Sequence, residues 1–170
     1  IHHKTGEIEV KLATMLAFML GIFLITVFRP IFEQSLWRVT SISPLVLICT
    51  LVGSMPNTVP NMFIVPPIAF CMGVVATAFG EVDGIVYNNS FMTGNIKKTM
   101  VAFGNFVRTS EKPYLKEGIF FVALLGSFIT GAIISTYLIQ FYALRTIWIV
   151  AVILFAFMMF RLTQYVRRSR

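Results

Sequence analysis

The longest charge-free stretch of this chain runs from residue 39 to residue 80. Two further stretches, residues 12–28 and 118–160, contain one charged residue between them, Arg145. Soluble domains need polar faces toward water, whereas the hydrocarbon core of a bilayer accommodates helices that are apolar on every side. The sequence therefore predicts a membrane protein.

The amino-acid composition indicates which kind of membrane protein this is. The chain has 170 residues, of which 57% are hydrophobic and 12% are charged, against about 25% charged in soluble proteins. A transmembrane β-barrel would alternate apolar and polar residues, and these stretches do not. The net charge of +7 does not indicate a nucleic-acid partner, because the basic residues lie between and after the apolar stretches. We expect an all-α, polytopic transmembrane helical bundle.

Prolines, glycines and charged residues divide the sequence into five predicted spans and one surface helix. The spans are residues 12–28, 42–55, 61–80, 118–141 and 146–160. Residues 94–108 instead place apolar and basic side chains on different helical faces, which is typical of a helix lying on the membrane surface. Pro113 is expected to end that helix.

The distribution of basic residues predicts the orientation. Most of the 14 lysines and arginines fall in connections that share one side with the C-terminus. By the positive-inside rule, the C-terminus and the polar segment after the third span face the cytoplasm.

A resemblance to a known family rests on two adjoining segments. Residues 69–80 read AFCMGVVATAFG, and residues 87–96 read YNNSFMTGNI. Together they resemble the second half of the YoaK-like family, bacterial inner-membrane proteins of unknown function that are loosely called permeases. Members look like six-span proteins with one Thr-Gly-Asn motif per half, and residues 93–95 match the second copy. The resemblance implies an inner-membrane location, a permease-like function and a chain that lacks the first span of the family.

Internal similarity leaves an inverted repeat open. Residues 19–26 and 124–131 share a glycine-centred pattern, and each is followed by a second span. Two halves of three spans would insert in opposite orientations, as in secondary transporters, whose substrate site lies where the halves meet.

The polar segment around the motif supplies the candidate site residues. The candidate substrate-binding residues are Asn88, Asn89, Thr93, Gly94 and Asn95. They either form a re-entrant stretch that lines a wet cavity, or they form a loop in which Thr93 caps the following helix.

Glu81 and Asp83 are candidate ion or proton carriers, because a carboxylate inside a bilayer is costly and usually marks such a pathway. The start of the third span decides their depth. A start at Pro66 embeds Glu81, whereas a start at Asn61, which we favour, carries Glu81 to the cytoplasmic interface.

The remaining candidates concern packing and lipid. Small side chains at Gly73, Ser127 and Gly131 predict faces where helices pack closely. Lys97, Lys98 and Arg108 either contact lipid headgroups or serve only as topology signals.

Signatures of catalysis are missing from the sequence, which has no glycine-rich phosphate loop, Cys-x-x-Cys pair or metal-ligand spacing. We therefore expect neither an enzyme nor a cofactor or metal. The expected partners are the lipid bilayer, a small solute and a second copy of the chain, with no nucleic acid. The leading hypothesis is a small-solute permease. The alternative is a non-transporting scaffold that binds a partner or lipid.

Overall fold

The computed structural model describes residues 2–31, 37–82, 84–87 and 92–168, and these residues are mostly helical. The elements are α1 (His2–Phe28), α2 (Trp37–Gly53), α3 (Asn61–Ala78), β1 (Glu81–Val82), β2 (Ile85–Val86), α4 (Met92–Thr109), α5 (Lys112–Tyr142) and α6 (Thr146–Arg168). Short 3-10 helices cover Arg29–Ile31 and Ala143–Arg145. The helical class predicted from the sequence is confirmed, with one small hairpin added within the described ranges.

Among the residues that the structure describes, three helical segments are long and apolar enough to cross a membrane: Gly6–Ile31, Asn61–Ala78 and Lys112–Arg167. The third segment runs through both α5 and α6. The shorter apolar helix α2 has 17 residues. Helices α1, α5 and α6 also continue past the predicted apolar spans, because helical hydrogen bonding propagates into polar sequence once a helix has formed.

Helix α2 begins at Trp37 and ends at Gly53, whereas the predicted span covers residues 42–55. The sequence places its start next to Pro44, but the helix continues through this proline. Proline has no N–H to donate to the carbonyl four residues earlier, which here belongs to Thr40. The Ser43 hydroxyl donates to that carbonyl at 2.8 Å. A neighbouring side chain thus replaces the missing backbone donor, as serines do in membrane helices.

Helix α3 begins at Asn61 and includes Pro66 and Pro67. It ends at Ala78, so the helix is shorter than the predicted span of residues 61–80. Glu81 lies beyond its end, in β1.

The connection between α4 and α5 differs from the prediction. Helix α4 extends to Thr109, and Ser110 then takes a left-handed φ of 58° while its N–H donates to the Phe106 carbonyl at 2.8 Å. Helix α5 starts at Lys112, with Pro113 in its first turn. Proline is tolerated there because a first-turn N–H has no helical acceptor. Pro113 therefore lies at the start of α5, so the prediction that it ends the preceding helix is wrong; α4 ends before it, at Thr109.

The chain forms two compact units: residues 1–79 with 142–170, and residues 80–141. In the first unit α1 packs against α3 through two glycines. A Cβ built on Gly73 would overlap the Phe18 carbonyl oxygen, and one on Gly21 would overlap the Phe70 carbonyl oxygen. The two backbones therefore touch directly. Such close approach is how membrane helices gain van der Waals contact.

The buried apolar cluster of the first unit joins α2, α3 and α6. Its buried members are Leu45, Cys49, Cys71 and Ala151. Helix α2 also approaches α6 at Gly53, where a Cβ would overlap the Trp148 indole. Both cysteines are buried free thiols, so they serve as small apolar core residues.

The second unit contains the hairpin, α4 and most of α5. Phe121 of α5 is 0% exposed. A Cβ on Gly118, one turn earlier, would lie 2.9 Å from the Phe103 ring of α4. This contact joins α5 to the middle of α4, about two turns beyond the Thr-Gly-Asn motif.

Candidate functional site

The Thr-Gly-Asn motif lies in the first turn of α4, not in the loop before it. Because the helix begins at Met92, Thr93 is its second residue, and the expectation that Thr93 caps the helix from outside is wrong. Thr93 and Gly94 are exposed, and a Cβ on Gly94 would meet nothing within 4 Å. Asn95 is 0% exposed. One helical turn therefore holds a buried asparagine beside an exposed threonine and an exposed glycine.

Asn95 is anchored by contacts along its own helix. Its side-chain nitrogen lies 3.8 Å from the Met92 sulfur, and its backbone carbonyl accepts a hydrogen bond from the Thr99 hydroxyl at 2.8 Å. Thr99 is also buried, one turn along the same face. Burying polar groups is costly unless they are hydrogen-bonded. This face of α4 is accordingly fixed inside the fold.

A short hairpin precedes the motif. Glu81 pairs with Val86 and Val82 with Ile85 in antiparallel register. Gly84 has a φ of +79°, which favours glycine at this turn. The Tyr87 N–H donates to the Gly80 carbonyl at 2.9 Å, which closes the base of the hairpin.

The structure describes one of the two candidate carboxylates, Glu81. Glu81 is exposed on β1, outside α3. Asp83, together with Asn88 and Asn89, lies outside the described residues. The proposed roles of these three residues stay predictions.

Lys98 connects the hairpin with both helices of the second unit. Its ammonium group donates to the Val86 carbonyl of β2 and lies 5.7 Å from the centroid of the Phe121 ring of α5. The neighbouring Phe120 packs edge-on against Tyr87, with ring centroids 5.7 Å apart. A cation above an aromatic face is attracted by the ring quadrupole. Lys98 is therefore an internal bridge as well as a basic residue.

Lys98→Met is expected to loosen the hairpin, because methionine keeps the apolar stem but removes the hydrogen bond to Val86 and the cation above Phe121. Amide exchange across residues 80–87 should accelerate by about tenfold, the result of losing on the order of 1–2 kcal/mol. Hydrogen–deuterium exchange with mass spectrometry measures it. Lys97→Met is the matched control, since Lys97 is an exposed neighbour of the same type. Equal protection in the two variants would contradict this role for Lys98.

The three candidate packing residues differ in burial. Gly73 is buried against the backbone of α1. Ser127 and Gly131 are exposed on α5; the Ser127 hydroxyl donates to the Ala123 carbonyl at 2.9 Å, and a Cβ on Gly131 would meet nothing within 4 Å. Among the described residues, the α5 positions Ser127 and Gly131 are therefore exposed, while Gly73 of α3 is covered by α1.

Sequence reasoning missed three features of the structure. The hairpin carries a signal, because the pair Asp83-Gly84, with Val82 before it and Ile85 and Val86 after it, is a typical turn sequence. Gly21 also carries a weak signal as a small residue in an apolar helix. The bridging position of Lys98 carries no sequence signal, since it depends on which aromatic ring the fold brings nearby.

Within the described residues, no group of three or more His, Cys, Asp or Glu side chains could hold a metal ion.

These features define an all-α protein whose helices have the length and apolar composition of membrane spans. The chain belongs to the family described as "Protein of unknown function (DUF1275)", which it matches over residues 1–160. No curated protein and no solved structure matches the chain.

Proposed function

We propose that the chain is a multi-pass protein of the bacterial inner membrane, crossed by α1, α2, α3, α5 and α6. The apolar side chains that α1, α5 and α6 expose support this placement, because lipid tails solvate such surfaces. Helix α2 would span about 26 Å, enough for a thin crossing. The positive-inside rule then assigns the C-terminus to the cytoplasm.

Within that membrane the protein is a permease for a small polar solute and not an enzyme. The observation that carries this proposal is that the three residues of the Thr-Gly-Asn motif lie in different environments. Asn95 anchors the first turn of α4, while Thr93 and Gly94 of the same turn are exposed. A fixed turn with an exposed hydroxyl is a preorganised contact for a polar ligand. The internal similarity of residues 19–26 and 124–131 is consistent with inverted halves that rock about such a site.

Glu81 takes a supporting part in this proposal. Because it is exposed beyond the end of α3, we assign it to the cytoplasmic interface, where a carboxyl group faces water and not hydrocarbon. Glu81 is therefore kept in the proposal only as the candidate ion or proton carrier that the sequence indicates.

Thr93→Ala is expected to lower solute uptake by about tenfold while the protein stays folded, because an exposed hydroxyl contributes to ligand binding and little to packing. Uptake profiling across a panel of small polar solutes measures it, in cells that lack the gene and are complemented with the wild type or the variant. The matched control is Thr109→Ala, an exposed threonine at the other end of α4.

Two outcomes of the profiling would overturn the permease proposal. The first is a wild-type profile identical to that of cells without the gene. The second is uptake that Thr93→Ala leaves at the wild-type level.

The second candidate function is a non-transporting scaffold, and the open face of α5 favours it. Ser127 and Gly131 offer a small-residue surface that no part of the described chain covers at Gly131. Such surfaces let another membrane helix approach closely. A stable oligomer in detergent that Gly131→Leu dissociates, together with no change in uptake, would favour the scaffold.

A further inference from the structure

Helix α4 presents three different sides, and each has its own chemistry. At about 100° per residue, Asn95, Thr99 and Ala102 share one side, and all three are buried. The next side carries Ile96, Met100 and Val107, which are 49%, 63% and 82% exposed. This second set is named the apolar stripe.

The basic side follows the apolar stripe around the helix. Lys97 and Arg108 lie roughly 100° from the stripe, and both are exposed. Helix α4 contains no Asp or Glu, so this side is uniformly positive. Lys98 does not belong to it, since its ammonium group is directed to the Val86 carbonyl and the Phe121 ring. Of the three candidate lipid-contacting residues, Lys97 and Arg108 therefore lie on the basic side of α4, whereas Lys98 does not.

An apolar stripe beside a basic side fits one surface in particular. An interfacial helix buries its apolar side roughly 5–10 Å into the boundary between headgroups and acyl chains, and its cations meet the lipid phosphates. Anionic lipid adds about 1 kcal/mol for each nearby Lys or Arg. A partner helix would also cover the stripe, but it would leave the adjoining positive side without a complement.

We propose that α4 lies in the headgroup region of an anionic membrane leaflet, with Ile96, Met100 and Val107 in the outer acyl layer and Lys97 and Arg108 on the lipid phosphates. The proposal uses the membrane placement of the chain and is independent of solute transport. It makes α4 a lipid-binding element directly continuous with the Thr-Gly-Asn turn.

Depth measurement on the full chain tests this proposal. Single cysteines are introduced at Val107 or Val101 in a background in which Cys49 and Cys71 are replaced by alanine, and they are labelled with an environment-sensitive fluorophore. Val101 is the matched control, because it is also an exposed valine, 53% accessible, but lies on the basic side. The protein is reconstituted in vesicles of phosphatidylcholine alone or mixed three to one with phosphatidylglycerol.

The label at Val107 should be quenched by spin-labelled lipid and shielded from aqueous iodide, whereas the label at Val101 should show the opposite pattern. Lipid quenching at Val107 should be stronger with phosphatidylglycerol present. Combining Lys97→Glu with Arg108→Glu should reduce that anionic-lipid enhancement by about fivefold or more. Lys116→Glu, which changes an exposed lysine outside α4, should leave it unchanged.

Three results would overturn the proposal. Iodide access at Val107 equal to that at Val101 would place the apolar stripe in water. Shielding of Val107 from both quenchers would show that protein covers it. Equal quenching with and without phosphatidylglycerol would remove the role of anionic headgroups.

Discussion

Gly73→Leu is expected to prevent α1 and α3 from packing, with a loss of more than about 3 kcal/mol of stability. Even a Cβ at this position would overlap the Phe18 carbonyl oxygen, and the Ile22 nitrogen lies 3.2 Å away. Overpacking a flexible side-chain contact costs about 1–3 kcal/mol. Here the obstacle is backbone on the neighbouring helix, which can move only if the whole helix moves, so the cost should exceed that range.

Fluorescence-detected size-exclusion chromatography of detergent-solubilised protein, after a series of heating steps, measures this effect. Gly21→Leu should behave in the same way, because Gly21 meets the Phe70 carbonyl in the reciprocal contact. Gly126→Leu is the matched control: it introduces the same side chain into an apolar helix at a site with nothing within 4 Å. A monodisperse Gly73→Leu protein with the thermal stability of Gly126→Leu would show that α1 and α3 do not pack through these glycines.

The helical class of this protein could be predicted from hydropathy, because apolar residues on every side of a segment leave little alternative to a helix in lipid. The positions of the helix ends could not. Proline usually marks an end, yet Pro44 lies inside α2, where the Ser43 hydroxyl donates to the Thr40 carbonyl. Pro113 lies in the first turn of α5, where a backbone N–H would have no helical acceptor, so its absence costs the helix no hydrogen bond.

The candidate site shows a similar limit. The Thr-Gly-Asn motif could be singled out by its residues, but the separate environments of its members could not, because burial is set by tertiary neighbours. Asn95 and Lys97 are two residues apart, and one is buried while the other is exposed. Nor does the sequence distinguish Lys97 from Lys98. Only the fold brings Phe121 and the Val86 carbonyl to the second of these lysines.

Asn95→Asp is expected to destabilise the protein by about 3 kcal/mol at neutral pH, because it introduces a carboxyl of nearly the same shape at a position that is 0% exposed. Burial disfavours the ionised form and raises the pKa of the introduced carboxyl above its unfolded value. Two features oppose this effect. The N-terminus of α4 favours a negative charge by about 0.3–1 kcal/mol, and Lys98 lies one turn further along. The ammonium of Lys98 is already directed to Val86 and Phe121, so burial should dominate.

The sign of the pH dependence follows from that raised pKa. Below the unfolded pKa of about 4 the carboxyl is neutral in both states and carries no electrostatic penalty. As the pH rises, the unfolded state releases its proton first, so the stability of Asn95→Asp should fall until the folded-state pKa is passed. Thermal unfolding in detergent at pH 5 and pH 8, with wild-type protein measured alongside, determines this slope. The matched control is Asn105→Asp, a half-buried site on the same helix, which should show a much smaller slope. If the two variants lost the same stability between pH 5 and pH 8, Asn95 would not be the buried anchor on which the proposed site depends.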